Sequence, residues 1–347
     1  MLRKPEMDIK EKRFIKQGQL IDTTGEYYPS LTFRGNGKLY IEFSAPKILF
    51  ENNVEELSNE DFDDFIGNFT KKLYDMGINI SNEALKNSYV SFATVSKNII
   101  LDGPVGATEF IEFTRRLWWK WRHSLKFENY KENGVSIREF TTSTGIGIYA
   151  KAPSLVAINH KTDKEKGLVQ NLKQNNILRF EYRMQNYQRT NAKYSWALGR
   201  KVERLTLKDI FDSGLSKKIL LYDLNKSLFS DEFKFIPMRL PTIKRMYEYI
   251  WDQDIKPSEE WAIITCFRLC SDLGIHKAKE IFENRYSNTT TKRVWKLCKK
   301  VLKEFDDYEY SNIRNEINAQ ISEFKSITNE LLSEEKMNTE KCQINLV

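Results

Sequence analysis

The chain has 347 residues and a formal net charge of +7 at neutral pH. Hydrophobic residues make up 40% of it and aromatic residues 13%, which excludes wholesale disorder and predicts about two folded units. The apolar runs are much too short to cross a bilayer, and the charged first residues carry no signal-peptide pattern. We therefore expect a cytoplasmic protein that does not associate with membranes.

Cysteine and histidine usage excludes several classes of metalloenzyme. The four cysteines form no CxxC pair, and Cys266 and Cys270 lie four residues apart in an apolar run. This spacing predicts buried thiols on one helical face in a reducing compartment. The three histidines are far apart in sequence, so a histidine-rich zinc site and an HExxH motif are excluded.

Charge is unevenly distributed along the chain. From Asp306 to Val347 there are nine acidic and four basic residues, a net charge of −5. Since the whole chain carries +7, residues 1–305 carry +12. A body this basic favours a polyanionic partner, and nucleic acid is preferred to a membrane because no segment has lipid-seeking character.

The first part of the chain predicts a hairpin and a helix. Residues 27–33 and 38–43 alternate apolar and polar side chains, and Arg34-Gly-Asn-Gly between them is a strong turn signal. After residues 58–61, a helix start, apolar residues recur at helical spacing. The stripe consists of Phe62, Phe65, Phe69 and Leu73.

Strands and helices then interleave up to residue 235. A strand is predicted at 89–101 and a helix at 108–125. Further strands are predicted at Gly145–Ala150, Leu155–Asn159 and Ile177–Met184. After an N-terminal extension (1–25), residues 26–235 therefore predict an α+β domain with a largely antiparallel sheet and flanking helices.

The last third is predicted to be helical. Helix starts occur near residues 240, 256, 277 and 290, which predicts a small all-helical C-terminal domain at 236–305. Residues 306–347 predict an acidic helical tail that is partly disordered beyond Ser333. Its narrow apolar stripe predicts either docking on the body or self-association with a second copy.

Three segments carry motifs. Residues 38–57 read KLYIEFSAPKILFENNVEEL, residues 177–183 read ILRFEYR, and residues 154–165 read SLVAINHKTDKE. Together they resemble signatures of the filamentous-phage gene II type of rolling-circle replication initiator, a group with phage, plasmid and mobile-element relatives. The helical region at 240–282 is also similar to the C-terminal domain of these initiators.

The resemblance implies a reaction and a partner. Such initiators are site-specific DNA endonucleases and strand transferases that act at a replication origin, on single-stranded or hairpin DNA. A tyrosine attacks a phosphodiester with the help of Mg²⁺ or Mn²⁺, and the phosphotyrosine ester preserves the bond energy for rejoining.

The sequence departs from the family pattern at two positions. Asn159 stands where the nucleophilic tyrosine is expected, and Thr94, within Ser91–Asn98, stands where a metal-binding aspartate is expected. One alternative is that a different tyrosine carries the reaction. A second is a catalytically inactive descendant that binds DNA as an origin-recognition or regulatory protein. A third is an RNA-binding or protein-interaction domain on this scaffold.

For the active alternative, Tyr149 is the candidate nucleophile. Its strand is predicted to pair with the strand that ends at Asn159, and Lys161 is the second candidate catalytic residue. The other interpretation of Tyr149 is a half-buried sheet tyrosine.

Glu181 is the first candidate metal ligand, because it is a carboxylate inside an apolar strand. His160 and Glu165 are the further candidates. The alternative for Glu181 is a structural salt bridge with Arg179 and Arg183.

Three basic groups are candidate DNA contacts. Trp119 with neighbouring arginines predicts a stacking platform for an unpaired base, with a packing tryptophan as the alternative. The helix that ends near Phe305 presents lysines outward, which suits phosphate contact or a solvated surface. The candidates are Arg115, Arg116, Trp119, Arg122, Arg179, Arg183, Lys292, Arg293 and Lys296.

Overall fold

The computed structural model of the chain describes residues 20–21, 25–33, 38–101, 106–116, 125–130, 134–140, 144–157, 161–172, 176–226, 242–253, 255–273, 275–305 and 308–328. Within these ranges, no helix combines the length and the apolar character that a membrane span requires.

Strands and helices both occur throughout the described ranges. The strands are β1 (Leu20–Ile21), β2 (Tyr27–Tyr28), β3 (Ser30–Phe33), β4 (Leu39–Glu42), β5 (Ala93–Ile100), β6 (Leu125–Tyr130), β7 (Gly134–Phe140), β8 (Thr144–Ala150) and β9 (Ile177–Met184). The helices are α1 (Ala45–Phe50), α2 (Phe62–Asp75), α3 (Asn82–Lys86), α4 (Ala107–Arg116), α5 (Lys151–Ala157), α6 (Asp163–Leu172), α7 (Tyr187–Leu198), α8 (Leu207–Ile210), α9 (Ser213–Lys226), α10 (Ile243–Trp251), α11 (Pro257–Leu273), α12 (Ile275–Arg285), α13 (Asn288–Glu304) and α14 (Tyr308–Glu323).

The main sheet has five strands in the order β5-β9-β8-β7-β6, and every neighbouring pair is antiparallel. Helices flank it, so the predicted α+β class with an antiparallel sheet and flanking helices is confirmed. The predicted hairpin is also present, because β3 pairs antiparallel with β4 and Leu31 lies opposite Ile41.

One face of the sheet packs against helices in a large hydrophobic core. Leu178 and Phe180 of β9 are buried in this core, as are Ile99 of β5 and Ile148 of β8. Side chains of α4, α7, α9, α10, α11, α12, α13 and α14 belong to the same cluster. A smaller core forms where α1 and α2 cover the β3–β4 hairpin, with Phe65 and Phe69 fully buried.

Strand β5 is an edge strand whose outer backbone groups at Asn98 and Ile100 are satisfied by side chains from elsewhere. The Gln320 side chain of α14 accepts from Ile100 N at 3.1 Å and donates to Ile100 O. Glu56 Oε1 accepts from Asn98 N at 2.5 Å. Ile317 and Ile321 of α14 are fully buried in the main hydrophobic core. The Asn98–Ile100 part of the edge is therefore covered instead of being available for pairing with another strand.

Helix α14 docks on the body of this chain, one of the two alternatives that its sequence allowed. Beyond it, Ile327 is buried, its carbonyl accepts from Glu56 N at 3.0 Å, and Ser326 Oγ donates to Leu57 O at 3.1 Å. The segment at 324–328 thus holds the loop at 51–57 against the sheet.

Some predicted elements are wrong. Residues 155–157 of the strand predicted at Leu155–Asn159 belong instead to the helix α5, whose buried residues Lys151, Ser154 and Leu155 follow helical spacing. Residues 158 and 159 lie outside the described ranges. A short apolar run does not distinguish a strand from a helix, and tertiary burial decided between them.

Two other boundaries differ from prediction. Leu125 begins strand β6 instead of ending a helix, because it pairs with Glu139 of β7. Tyr89 is not part of β5 and makes only an isolated bridge to Thr206. Strands β6 and β7 were not predicted; apolar and polar side chains alternate only over residues 125–128 and 135–138.

The helices predicted after residue 237 are present as α10 to α13, with bounds shifted by a few residues. The three cysteines within the described ranges, Cys266, Cys270 and Cys298, are buried and unoxidised, as their spacing in the sequence indicated for the first two. The hydrogen bond to Cys266 raises the pKa of the Cys270 thiol, and burial raises it further. These thiols therefore behave as packing groups.

Candidate functional site

Strand β9 sorts apolar and charged side chains onto opposite faces of the sheet. Leu178 and Phe180 point into the hydrophobic core. Arg179, Glu181 and Arg183 alternate with them and so lie on the other face. We call this the polar face.

The neighbouring strands extend the polar face in three rows. Each row takes one residue from β5, one from β9 and one from β8, at positions that are opposite each other in register. The rows are Asn98–Arg179–Tyr149, Ser96–Glu181–Gly147 and Thr94–Arg183–Gly145.

Glu181 is the centre of the polar face. Its Oε1 accepts the Tyr149 hydroxyl at 2.6 Å and Arg179 Nε at 2.9 Å. Its Oε2 accepts Arg183 Nη2 at 2.7 Å and Arg183 Nε at 3.1 Å. The carboxylate thus has four donors, three of them on guanidinium groups, and only 7% of its side chain is exposed.

Arg179 fixes the covered end of the polar face. Its Nη1 donates to Asn98 Oδ1 at 3.0 Å and to Asn53 O at 3.2 Å, while Nη2 donates to Ser96 Oγ at 2.8 Å. Its side chain is 9% exposed. A buried guanidinium with these partners is locked in one orientation, and it positions Glu181.

Burial and the neighbouring charges shift the pKa values of Glu181 and Tyr149. Burial alone would raise the pKa of Glu181, but Arg179, Arg183 and the Tyr149 hydroxyl hold it well below its usual range. Burial raises the pKa of the Tyr149 hydroxyl, and Arg179 only partly opposes this effect. At neutral pH Glu181 is therefore ionised and Tyr149 is protonated.

The loop at 51–57 covers the Asn98 row. Asn53 Oδ1 accepts from Lys151 Nζ at 2.7 Å, and its carbonyl accepts from Arg179. Lys151 is the first residue of α5, which follows β8 directly. Burial lowers the pKa of Lys151 well below its usual value, and the nearby Arg179 lowers it further.

A second buried ion pair lies beside this cluster. Lys47 Nζ is 2.8 Å from Glu165 Oε1 and 3.0 Å from Oε2, and the two side chains are 2% and 0% exposed. The Thr162 hydroxyl accepts from Glu165 N at 3.0 Å at the start of α6. Lys47 belongs to the segment at 38–57 and Glu165 to the segment at 154–165, so all three motif segments meet here.

The Thr94 row is the open end of the polar face. Thr94 is exposed, and 36% of the Arg183 side chain is exposed. At Gly147 an added methyl group would lie 3.8 Å from Glu181 Cβ and 3.9 Å from Oε2. These are ordinary van der Waals distances, and Gly147 and Gly145 are both buried. An incoming group can therefore reach Arg183 from the side of the exposed Thr94, at the edge of the sheet.

The surroundings of the Glu181 carboxylate do not suit a divalent cation. Both carboxylate oxygens already accept hydrogen bonds, and two guanidinium groups would repel a metal ion. Glu165 is paired with Lys47, and His160 lies outside the described residues. Among the residues that the structure does describe, no group of three or more histidine, cysteine, aspartate or glutamate side chains is arranged to hold a metal.

The structure brings four of the predicted site residues together, namely Tyr149, Glu181, Arg179 and Arg183. The strand neighbours of Tyr149 are β7 and β9, so its predicted pairing with a strand at 155–159 is wrong. Lys161 is placed elsewhere, with its Nζ donating to Val156 O at 3.0 Å beside α5. Asn159, like His160, lies outside the described residues.

The helices α4 and α13, which carry other predicted DNA contacts, pack in the hydrophobic core on the opposite side of the sheet from the polar face. Arg115 and Arg116 are in the last turn of α4, whereas Trp119 and Arg122 lie outside the described ranges. On α13, Lys292 and Lys296 are exposed. Arg293 Nε is 3.0 Å from Glu259 Oε1 of α11.

Sequence reasoning missed several members of the cluster. Asn98 could have been found, because it shares the two-residue period of β5 with Thr94 and Ser96. Lys47 was within a motif but gave no separate signal. Lys151 and Asn53 depend on how α5 and the loop fold over the sheet, and no local pattern indicates this.

Comparison of the chain with protein-family models, with curated proteins and with solved structures finds no match.

Proposed function

We propose that this chain is a DNA-binding protein of the rolling-circle initiator type and that Tyr149 is its strand-cleaving group. The observation that carries the proposal is the 2.6 Å hydrogen bond from the Tyr149 hydroxyl to Glu181, on the face where the three motif segments meet. A hydroxyl nucleophile beside a carboxylate base, with guanidinium groups for the phosphate, has the parts that phosphoryl transfer needs.

The proposed cleavage step needs no reactant besides the protein and the DNA strand. The Tyr149 oxygen forms a bond to phosphorus while the bond from phosphorus to the 3′ oxygen breaks. The phenolic proton passes to Glu181, and from there to the departing 3′ oxygen. The DNA 5′ end is left as a phosphotyrosine diester, and the reverse sequence rejoins the strand.

At rest the pair is inactive, because Tyr149 is 5% exposed and the arginines make Glu181 a weak base. A phosphodiester that engages Arg183 draws that guanidinium away from the carboxylate. The basicity of Glu181 then rises at the moment when the nucleophile has to lose its proton. DNA binding and activation of Tyr149 are coupled in this way.

The rest of the chain supports DNA binding in this proposal. Residues 1–305 carry +12, and α13 exposes Lys292 and Lys296. Helices α10 to α13 correspond to the helical C-terminal domain of the initiators, with α14 as the tail. The expected setting is phage or plasmid DNA in the cytoplasm, with an origin in single-stranded or hairpin form as the substrate.

A second candidate is a DNA-binding descendant that does not cleave DNA. The observation that favours it is the saturation of Glu181, whose two oxygens already have four donors. In this candidate the polar face is a structural network, and origin recognition or regulation is the whole activity.

Covalent trapping separates the two candidates. The wild-type chain and the Tyr149→Phe variant would be incubated with a 5′-labelled and a 3′-labelled single strand carrying the origin of the encoding element, with and without Mn²⁺. Denaturing gels would detect a protein–DNA adduct. Tyr187→Phe is a matched control, because Tyr187 is an exposed tyrosine whose hydroxyl donates to the Glu203 carbonyl instead of to Glu181.

We expect an adduct on the strand that is labelled at its 3′ end, and we expect it to be lost in Tyr149→Phe and kept in Tyr187→Phe. Binding without an adduct in the wild-type chain would establish the second candidate. An adduct that survives in Tyr149→Phe would assign the chemistry to another residue. Stronger binding of single-stranded RNA than of DNA would refute both.

A further inference from the structure

We propose that Arg183, rather than a divalent metal ion, is the cation that receives a DNA phosphate on the polar face. Glu181 then serves to hold Arg183 in place until DNA arrives. This inference rests on the proposed function and names its phosphate-binding group.

The charge of the polar face favours an anion. On the strands β5, β9 and β8 its charged groups are one carboxylate, Glu181, and two guanidiniums, Arg179 and Arg183, with the Lys151 side chain directly beside them. A divalent ion would add positive charge to an already positive cluster. A phosphodiester brings the single negative charge that the cluster lacks.

Access distinguishes Arg183 from Arg179. The guanidinium of Arg179 is enclosed by Asn98, Ser96 and the loop at 51–57. Arg183 lies in the open row, between exposed Thr94 and Gly145. Gly145 is buried, so a sugar–phosphate chain can reach Arg183 from the side of Thr94, across the edge strand β5.

A divalent metal ion and Arg183, as the group that binds phosphate, lead to opposite expectations for the substitution Glu181→Gln. If Glu181 were a metal ligand, Glu181→Gln would weaken any metal-dependent binding. If Glu181 competes with phosphate for Arg183, the same change weakens that competition and DNA binds more tightly. Glutamine keeps an oxygen for Arg179 and Tyr149, so the change is close to isosteric.

A second substitution tests the same competition from a neighbouring position. Thr94 is directly opposite Arg183 and is exposed. Thr94→Asp places a new carboxylate beside the guanidinium without disturbing the buried network. It should therefore weaken DNA binding even if Glu181→Gln does not fold.

Fluorescence anisotropy with a labelled single-stranded DNA oligonucleotide measures these effects, in EDTA and in Mn²⁺, over a range of salt concentrations. The variants are Glu181→Gln, Arg183→Gln and Thr94→Asp. Arg200→Gln is the control, because Arg200 also faces a carboxylate, Asp209 at 3.9 Å, but lies away from the polar face.

We expect wild-type affinity to be the same in EDTA and in Mn²⁺. Arg183→Gln should weaken binding about tenfold, the effect of one charge-assisted hydrogen bond. It should also reduce the slope of log K against log salt by about 0.7, the loss of one phosphate contact on a single strand. Glu181→Gln should tighten binding, Thr94→Asp should weaken it, and Arg200→Gln should change neither affinity nor slope.

Binding that requires Mn²⁺ and is lost in Glu181→Gln would overturn the inference in favour of a metal site. Wild-type binding that is unchanged in Arg183→Gln and Thr94→Asp would also overturn it, while leaving the proposed DNA binding in place. If the wild-type chain binds no DNA, the proposed function itself fails.

Discussion

Tyr149 and Glu181 are joined across two strands although they are not opposite each other in register. Tyr149 pairs with Arg179, and Glu181 pairs with Gly147, yet the Tyr149 hydroxyl reaches Glu181 Oε1 at 2.6 Å. A tyrosine is long enough for this diagonal contact, and the glycine leaves its path clear. The pair therefore depends on three strand positions, two of which carry no charge.

Removing the hydroxyl should destabilise the fold. Tyr149→Phe leaves Glu181 without one donor in a buried site, which is expected to lower the free energy of unfolding by about 1–3 kcal/mol. Urea denaturation followed by circular dichroism measures the change. Tyr187→Phe should cost less, about 0.5–1 kcal/mol, because Tyr187 is 42% exposed and its hydrogen bond to the Glu203 carbonyl is open to solvent. Equal costs for the two variants would contradict the buried role of Tyr149.

The Lys47–Glu165 pair should show strong coupling. Both side chains are buried, so Lys47→Met or Glu165→Leu alone leaves a buried partner uncompensated and should cost about 3–5 kcal/mol. The double variant Lys47→Met/Glu165→Leu should regain most of this loss. A double-mutant cycle in urea gives the coupling energy. Additive losses would show that the two groups do not depend on each other.

Lys151 should make stability rise with pH. Its folded-state pKa lies below the unfolded value of 10.5, so between the two values the unfolded chain binds more protons. The free energy of unfolding therefore increases with pH through that window and is lowest where Lys151 must be charged. Lys151→Met should flatten this rise, measured by urea denaturation from about pH 7 to about pH 9. A rise that is unchanged in the variant would refute the assignment to Lys151.

The segment at 324–328 should control the loop that covers the polar face. Ile327 is 4% exposed and packs with Val54 and Ile177, so Ile327→Ala should cost about 2–5 kcal/mol. Amide hydrogens of the loop at 51–57 should exchange faster in this variant. Lys325→Ala is the control, because its exposed side chain is removed while the carbonyl that accepts from Lys97 Nζ is kept. Unchanged exchange in Ile327→Ala would show that the loop is held by other contacts.

Much of the fold could be predicted from local patterns. The alternation in β3, β4 and β9, the stripe of α2 and the starts of α10 to α13 all depend on residues that are near in sequence. The strand prediction was wrong at 155–157, where a short apolar run fits a strand and a helix equally well. Strands β6 and β7 were not predicted, because apolar and polar residues alternate over only four positions in each. The charged positions of β9 were found for the same local reason, since a carboxylate between two arginines in an apolar strand is visible in the sequence.

The sequence by itself determined which side chains share a face, because the period of a strand or helix is a local property of the backbone. It determined in this way that Arg179, Glu181 and Arg183 lie together, apart from the core residues between them. Only the tertiary structure decided what meets this face. The Tyr149 hydroxyl, Asn53, Lys151 and the covered and open ends of the three rows result from the packing of distant segments, and long-range packing leaves no period in the chain.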